Sequence, residues 1–173
     1  GSEMCIRDRQ SARDEQAAWQ RALSTTLHRT GIPYEALRNE LLFGTALFVY
    51  VKSSLLPHIR RVEGTTKKTG FRGMSGNKGA VAVRFELFDT SICMVGSHLS
   101  SGSNNKEERN ADYHAIARDL VFTRGRTIDS HDHIFWAGDL NYRIALPSAE
   151  DVRDLASRRQ LEPLLLHDQL TDC

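Results

Sequence analysis

The stretch that most constrains the fold is residues 133–143, where an apolar run ends in a glycine and an acid and an amide follow two positions apart. Residues 134–137, Ile-Phe-Trp-Ala, predict a buried strand covered on both faces, because continuous apolar runs bounded by turn residues are typical of such strands. Gly138 allows the backbone to turn sharply and a ligand to approach closely. If the extended conformation continues, Asp139 and Asn141 share one side of the chain.

A carboxylate beside an amide suits phosphoryl chemistry. The carboxylate of Asp139 can take a proton from water or hold a hydrated cation, and the amide of Asn141 can donate to a phosphate oxygen. A strand end followed by an ordinary turn is the alternative, since Asp and Asn are common in turns. The surrounding motifs favour the phosphoryl interpretation.

Length and composition indicate one globular domain. The 173 residues are 40% hydrophobic, which is enough for a core, and the net charge of +1 implies no polyanion partner. Three scattered cysteines argue against a disulfide framework or a zinc site and favour a reducing compartment. No apolar run approaches the roughly 20 residues needed to span a bilayer, so we expect a soluble or peripheral protein. Residues 1–10 are interpreted as a non-native or disordered leader, and residues 11–173 carry the fold.

The hydrophobic pattern predicts alternating helices and strands. Apolar residues recur at helical spacing before Gly31, and strands are predicted next. His98 follows one of these strands as Asp139 follows another, so neighbouring strand ends would bring the two side chains together. The predicted elements are a helix at 11–29, a strand at 41–51, antiparallel strands at 80–87 and 91–96, and a helix at 105–122 with Ala111, Ala115, Ile116 and Leu120 on its inner face.

Residues 70–79 are glycine-rich but do not match a nucleotide-binding P-loop. Asn77 separates Gly76 from Lys78, and Gly79 stands where Ser or Thr is needed. A turn with Asn77 and Lys78 at its mouth could still receive a phosphate group. Residues 52–84 contain eight basic residues and one acid, which suggests contact with phosphate groups or an anionic membrane, although a solvated loop is the alternative.

Four ordered blocks give the chain a resemblance to a known family. They contain Ser75-Gly76-Asn77-Lys78-Gly79 and the strand after it, Ser97-His98-Leu99, Glu108-Arg109-Asn110-Ala111-Asp112-Tyr113, and Phe135-Trp136-Ala137-Gly138-Asp139-Leu140-Asn141-Tyr142-Arg143. Together they resemble the inositol-polyphosphate 5-phosphatases, most closely the synaptojanin-like branch, within the endonuclease/exonuclease/phosphatase superfamily. The resemblance implies an α/β fold, a four-layer α/β sandwich, which we expect to be incomplete at both ends.

The resemblance also implies a reaction: Mg²⁺-dependent hydrolysis of the 5-phosphate of phosphoinositides such as phosphatidylinositol 4,5-bisphosphate, without a covalent intermediate. It gives Asp139 the role of orienting or deprotonating the attacking water, Asn141 that of a donor to the scissile phosphate, and His98 that of a second stabiliser of its charge. The substrate-binding residues it implies are Asn77 and Lys78 at the lipid-side phosphate, and Arg109, Tyr113 and Arg143 around the pocket. The metal ligands are not assigned.

Two departures set the remaining expectations. The family's metal-binding Gln-Glu motif and its later Pro-x-Trp-x-Asp-Arg and Ser-Asp-His-Arg motifs are absent, so this chain is expected to have little or no activity alone. The alternatives are a superfamily nuclease or sphingomyelinase, or a non-catalytic phosphoinositide-binding module. The expected partners are a phosphoinositide headgroup and an anionic membrane surface, with no nucleic acid, and the expected location is cytoplasmic and peripheral to membranes.

Overall fold

The computed structural model describes residues 2–42, 44–70 and 77–172, with side chains from Asp14 onward. The elements, in chain order, are α1 (Ser2–His28), β1 (Tyr34–Leu42), β2 (Thr45–Lys52), β3 (Ile59–Lys68), β4 (Gly79–Leu87), β5 (Thr90–His98), α2 (Lys106–Asp119), β6 (His133–Asp139), α3 (Ala149–Ser157) and α4 (Leu161–Leu165). Helix α1 begins at Ser2, so the structure does not set residues 2–10 apart, and their non-native origin stays a prediction.

The strands form two sheets. Strands β1 and β2 are an antiparallel hairpin, and the second sheet has the order β3-β4-β5-β6, in which only the β5–β6 pair is parallel. Val49 of the hairpin packs with Val83 and Phe85 of β4 between the two sheets. The other face of the larger sheet packs against α2. Tyr50 bonds Ser24 and Gln20 of α1, which completes a helix-sheet-sheet-helix arrangement and confirms the predicted four-layer α/β sandwich.

Three local predictions were wrong. The strand predicted at 41–51 spans the turn of the β1–β2 hairpin, because the apolar residues of two strands run together across a short connection. Strand β6 is the outermost strand of the described sheet, and Phe135 is 58% exposed, so the run 134–137 is not covered on both faces. On α2, Ala111 is exposed, whereas the charged residues Arg109 and Asp112 are buried with Ile116 and Leu120.

The C-terminal region follows the capping rules. The Ser148 hydroxyl accepts a hydrogen bond of 3.2 Å from the Asp151 backbone N–H and so caps the N-terminus of α3. The apolar run after it forms the short helix α4, where Leu164 is buried and Leu166 is 83% exposed. In the described part of the chain, no helix is both long and apolar enough to cross a membrane.

Candidate active site

The topology brings three parts of the chain to one edge of the larger sheet. His98 is the last residue of β5 and pairs in register with Asp139, the last residue of β6. On its other side His98 pairs with Gly79, the first residue of β4. Because β5 and β6 are parallel while β4 is antiparallel to β5, Lys78 and the ends of both parallel strands meet there.

His98 is held between a cation and an anion. Its Nε2 lies 2.5 Å from Lys78 Nζ and 3.7 Å from Asp139 Oδ2. An ammonium group can only donate hydrogen bonds, so Nε2 is the acceptor and carries no proton. Burial and the positive charge of Lys78 lower the pKa of His98, and these effects outweigh the opposing effect of Asp139. His98 is therefore neutral near pH 7.

Asp139 presents its carboxylate to solvent beside this imidazole. Its side chain is 65% exposed, and Oδ1 accepts a 3.0 Å hydrogen bond from the backbone N–H of Asn141. Asn141 has a left-handed backbone with φ of 58°, so the extended conformation expected beyond Asp139 does not continue. The two side chains are brought together by this turn and not by strand alternation.

The Asn141 side chain is fixed at both of its ends. Its Nδ2 donates to the Leu99 carbonyl at 2.9 Å, and its Oδ1 accepts from Arg143 Nη2 at 2.7 Å. An amide nitrogen carries two hydrogens, and no second acceptor for it occurs among residues 2–42, 44–70 and 77–172. Asn141 can therefore offer one oriented N–H to a phosphate oxygen at the edge of the site.

Gly138 lets β5 and β6 approach closely just before the site. A Cβ atom at this position would lie 2.0 Å from the Ser97 carbonyl oxygen, and the φ of Gly138 is 134°. The Trp136 ring on the same strand donates from Nε1 to Ser97 Oγ at 2.9 Å, and Ser97 is 1% exposed. These contacts set the lateral position of β6, and hence of Asp139, relative to His98.

Arg109 supports the loop that follows β5. It is fully buried, and its Nη1 donates to the carbonyls of Ser100 at 3.2 Å and Gly102 at 2.6 Å. Its Nη2 donates at 2.5 Å to Gln169 Oε1, which also accepts from the Arg143 backbone N–H at 3.1 Å. In this conformation Arg109 contacts the scaffold, so its assignment to substrate stays a prediction.

Two groups of this support had no clear sequence signal. Gln169 lies near the end of the chain, outside every motif, yet it joins Arg109 to the backbone of Arg143. Asp112 Oδ2 accepts hydrogen bonds from the Ser100 N–H at 2.9 Å and from its hydroxyl at 2.7 Å. Asp112 was missed because a charged residue on a helix is normally assigned to solvent, and Gln169 because it lies in a turn without any motif.

The other predicted substrate residues, Tyr113, Arg143 and Asn77, have exposed side chains. Tyr113 is 44% exposed, and its ring centroid lies 4.9 Å from that of Trp136. Arg143 is exposed and bonds Asn141, while Asn77 is exposed next to Lys78. The loop at 71–76 that precedes them lies outside the described residues, so the prediction that it faces a membrane is not addressed. The structure thus brings together His98, Lys78, Asp139 and Asn141.

Within the described residues, no group of three or more His, Cys, Asp or Glu side chains could hold a metal ion. His131 is buried, and its Nε2 accepts a hydrogen bond of 2.8 Å from Arg84 Nε. Asp139 provides an exposed carboxylate at the site. Magnesium usually keeps several waters and takes one or two carboxylates together with substrate phosphates, so a single carboxylate oxygen donor is compatible with it.

Comparison with known proteins shows the family to which this chain belongs. The model of the endonuclease/exonuclease/phosphatase family 2 matches residues 3–173. The chain belongs to this family. It is 45% identical over 155 residues to the polyphosphatidylinositol phosphatase INP53 of Saccharomyces cerevisiae, a match that covers 88% of this chain and 14% of that protein. It is 44% identical over 155 residues to human synaptojanin-1, covering 90% of this chain and 10% of that protein.

A solved structure shares both the fold and the sequence of this family member. It is the inositol polyphosphate 5-phosphatase domain of SPsynaptojanin, crystallised with inositol (1,4)-bisphosphate and a calcium ion. The TM-score is 0.75 at 48% identity, and the match covers 80% of this chain and 40% of that domain. The predicted family and fold are confirmed. The chain spans 14% of the length of INP53, 10% of that of synaptojanin-1 and 40% of that of the solved domain.

Proposed function

We propose that this chain forms the centre of the catalytic domain of a phosphoinositide 5-phosphatase. The observation that carries the proposal is the convergence of His98, Lys78, Asp139 and Asn141 at one sheet edge. The relatives are phosphatases of phosphoinositides or inositol phosphates by name, and the solved relative was crystallised with an inositol bisphosphate. The substrate class is accordingly a phosphatidylinositol bisphosphate, with water attacking the 5-phosphorus.

Each side chain of the site has a role in the proposed reaction that follows from its charge. The exposed carboxylate of Asp139 orients or deprotonates the attacking water, and the second N–H of the Asn141 amide donates to the scissile phosphate. Lys78 supplies a full positive charge, and His98 holds that ammonium by accepting its hydrogen bond. The role of His98 as a second stabiliser of the phosphate charge is part of the same proposal.

Magnesium is the metal we propose for this reaction, and Asp139 is the described residue that would hold it. When bound, the ion supplies Lewis-acid stabilisation of a phosphoryl oxygen. The solved relative contains calcium, another hard cation that prefers oxygen ligands.

The proposal is tested by Asp139→Asn in a protein that carries this chain together with the further segments of its relatives. Removing the base should lower phosphate release from phosphatidylinositol 4,5-bisphosphate by about 10³-fold. The matched control is Asp129→Asn, because Asp129 is an exposed aspartate outside the site, and its activity should be unchanged. The 173-residue chain alone should show little activity.

Two results would reject this function. Unchanged lipid hydrolysis in Asp139→Asn would remove the residue from the mechanism, and hydrolysis of abasic DNA without hydrolysis of inositol phosphates would indicate a nuclease. If membrane function persists in Asp139→Asn while hydrolysis is lost, that membrane function depends on binding by the chain and not on its catalysis.

We further propose a cytoplasmic location at the surface of anionic membranes. The support is the excess of basic residues in the segment 52–84, of which Lys52, Arg60 and Lys68 are exposed. Association with vesicles that contain anionic lipid should weaken as salt rises, because exposed charges are screened. Salt-independent association would contradict the proposal.

A further inference from the structure

A second cationic region lies at the opposite end of β4 from the candidate active site. A cavity of about 220 Å³ is lined by Arg61, Glu63, Arg84, Thr123, Arg124 and Arg126. Arg84 lies five positions after Gly79 along β4, a distance of about 17 Å in a strand. The cavity is therefore separate from the site at His98 and Asp139.

Arg84 forms the floor of this cavity. It is fully buried, and its Nε donates to His131 Nε2 at 2.8 Å. Its Nη1 donates to Glu63 Oε1 at 3.2 Å, and its Nη2 donates to Glu86 Oε1 at 3.1 Å. The floor is thus a fixed positive charge whose orientation is set by three side chains.

The walls carry more positive charge than their acids balance. Arg61 Nη1 lies 3.1 Å from Glu86 Oε1, the oxygen already bonded to Arg84, and Arg126 Nη1 lies 3.8 Å from it. One carboxylate oxygen is therefore shared by three guanidinium groups. Glu63 has its second oxygen bonded to Thr123. Arg124 has no side-chain hydrogen bond or ion pair with any residue that the structure describes.

Two of these arginines have an unusual backbone conformation with a positive φ. Arg61 lies in a bulge of β3 with φ of 53°, and Arg124 has φ of 59°. A positive φ is uncommon for residues other than glycine, and strained backbone of this kind collects at binding and catalytic sites. Both residues line the cavity.

We propose that this cavity binds a phosphate monoester group. Guanidinium groups match the oxygens of a phosphate in paired hydrogen bonds, and the volume suits a single phosphate better than a large apolar ligand. An adjoining cavity of about 400 Å³ shares Arg61 and Arg126 and also contains Asp89 and Asp132. It offers both donors and acceptors to a hydroxyl-rich carrier of that phosphate.

The same chemistry could come from a soluble phosphate or from a lipid headgroup, and the test separates the two. Inorganic phosphate is titrated into the 173-residue chain at constant ionic strength, while amide NMR signals of residues 123–126 are followed. Phosphatidylcholine vesicles with and without a phosphoinositide form the second arm. Saturable shifts with phosphate indicate a soluble ligand, and binding only to the phosphoinositide vesicles indicates a headgroup.

The variant Arg124→Gln/Arg126→Gln should weaken the binding at least about tenfold, since two charge-assisted contacts are lost. Arg153→Gln is the matched control, because Arg153 is an exposed arginine on α3, and it should bind as the wild type does. Lys78→Met should also leave binding at residues 123–126 unchanged, which keeps this result independent of the proposed phosphatase function. Equal binding by wild type and Arg124→Gln/Arg126→Gln, or no saturable binding in either arm, would overturn the proposal.

Discussion

Replacing Arg84 by methionine should destabilise the fold strongly. The guanidinium is fully buried and bonds two glutamates, His131 and the Arg61 carbonyl. Breaking a buried ion pair by removing one partner costs about 3–5 kcal/mol. Glu63 and Glu86 are 23% and 18% exposed and keep bonds to Thr123 and Arg61, so we expect the lower end, about 3 kcal/mol.

The effect should depend on pH in a defined direction. Burial acts to raise the pKa of Glu63 and of Glu86. The hydrogen bonds from Thr123 and Arg84 outweigh it at Glu63, those from Arg84 and Arg61 outweigh it at Glu86, and both pKa values lie below the usual range. A carboxylate whose pKa is lower in the folded than in the unfolded state stabilises the fold at pH values above its unfolded pKa, which is about 4.3 for glutamate. This stabilisation is lost as the pH falls through the folded-state pKa. The difference in the free energy of unfolding between wild type and Arg84→Met should therefore become smaller as the pH falls from 7 to 3.

The assay is urea unfolding across that pH range, with thermal unfolding at pH 7. A loss of about 3 kcal/mol corresponds to about 6–12 °C in Tm for a chain of this size. The control is Arg158→Met, where the same substitution removes an ion pair to Asp154 from a side chain that is 64% exposed, and it should cost under about 0.5 kcal/mol. Equal losses in the two variants, or a loss in Arg84→Met that does not change with pH, would refute the reasoning.

Three further predictions address packing in the larger sheet. Gly138→Ala should destabilise the fold by about 3 kcal/mol or more, because the added Cβ would overlap the Ser97 carbonyl. Gly125→Ala, at a position with a positive φ but open space around it, should cost less. Equal losses of stability in chemical unfolding would contradict this. Burial raises the pKa of the Cys93 thiol to about 11. The contribution of the neutral thiol to folding stability is therefore complete below pH 9 and is lost as the pH rises through 11. The stability difference between wild type and Cys93→Ala should therefore shift by about 3 kcal/mol between pH 8 and 12, and a constant difference would reject the assignment. Trp136→Phe should cost about 1 kcal/mol by leaving Ser97 Oγ without its donor, and an unchanged unfolding curve would show that this bond contributes nothing.

Much of the framework was predictable because periodicity and motif order are local signals. The strand predicted at 80–87 and the helix predicted at 105–122 both appear where the sequence indicates. The meeting of His98 and Asp139 also followed from two strand ends, since it needed only that the strands be parallel neighbours.

What the sequence could not show depends on long-range contacts. The inward position of Arg109 arises from carbonyls at Ser100 and Gly102 and from Gln169, 60 residues away, and no helical pattern signals partners of this kind. The turn at Asn141 also depends on distant contacts. Its left-handed φ lets the Asn141 backbone N–H donate to Asp139 Oδ1 while the side-chain Nδ2 donates to the Leu99 carbonyl. The exposure of Phe135 reflects the place of β6 in the strand order, which an apolar run does not encode.

The parallel ladder between β5 and β6 makes the site sensitive to alignment. His98 and Asp139 come from segments 41 residues apart and face each other because Ile92 is paired with His133 six positions earlier. Sliding β6 by one residue would displace Asp139 by about 3.3 Å and turn its side chain to the opposite face of the sheet. Substitutions that loosen this ladder would then separate His98 from Asp139 while every residue of the motif is intact.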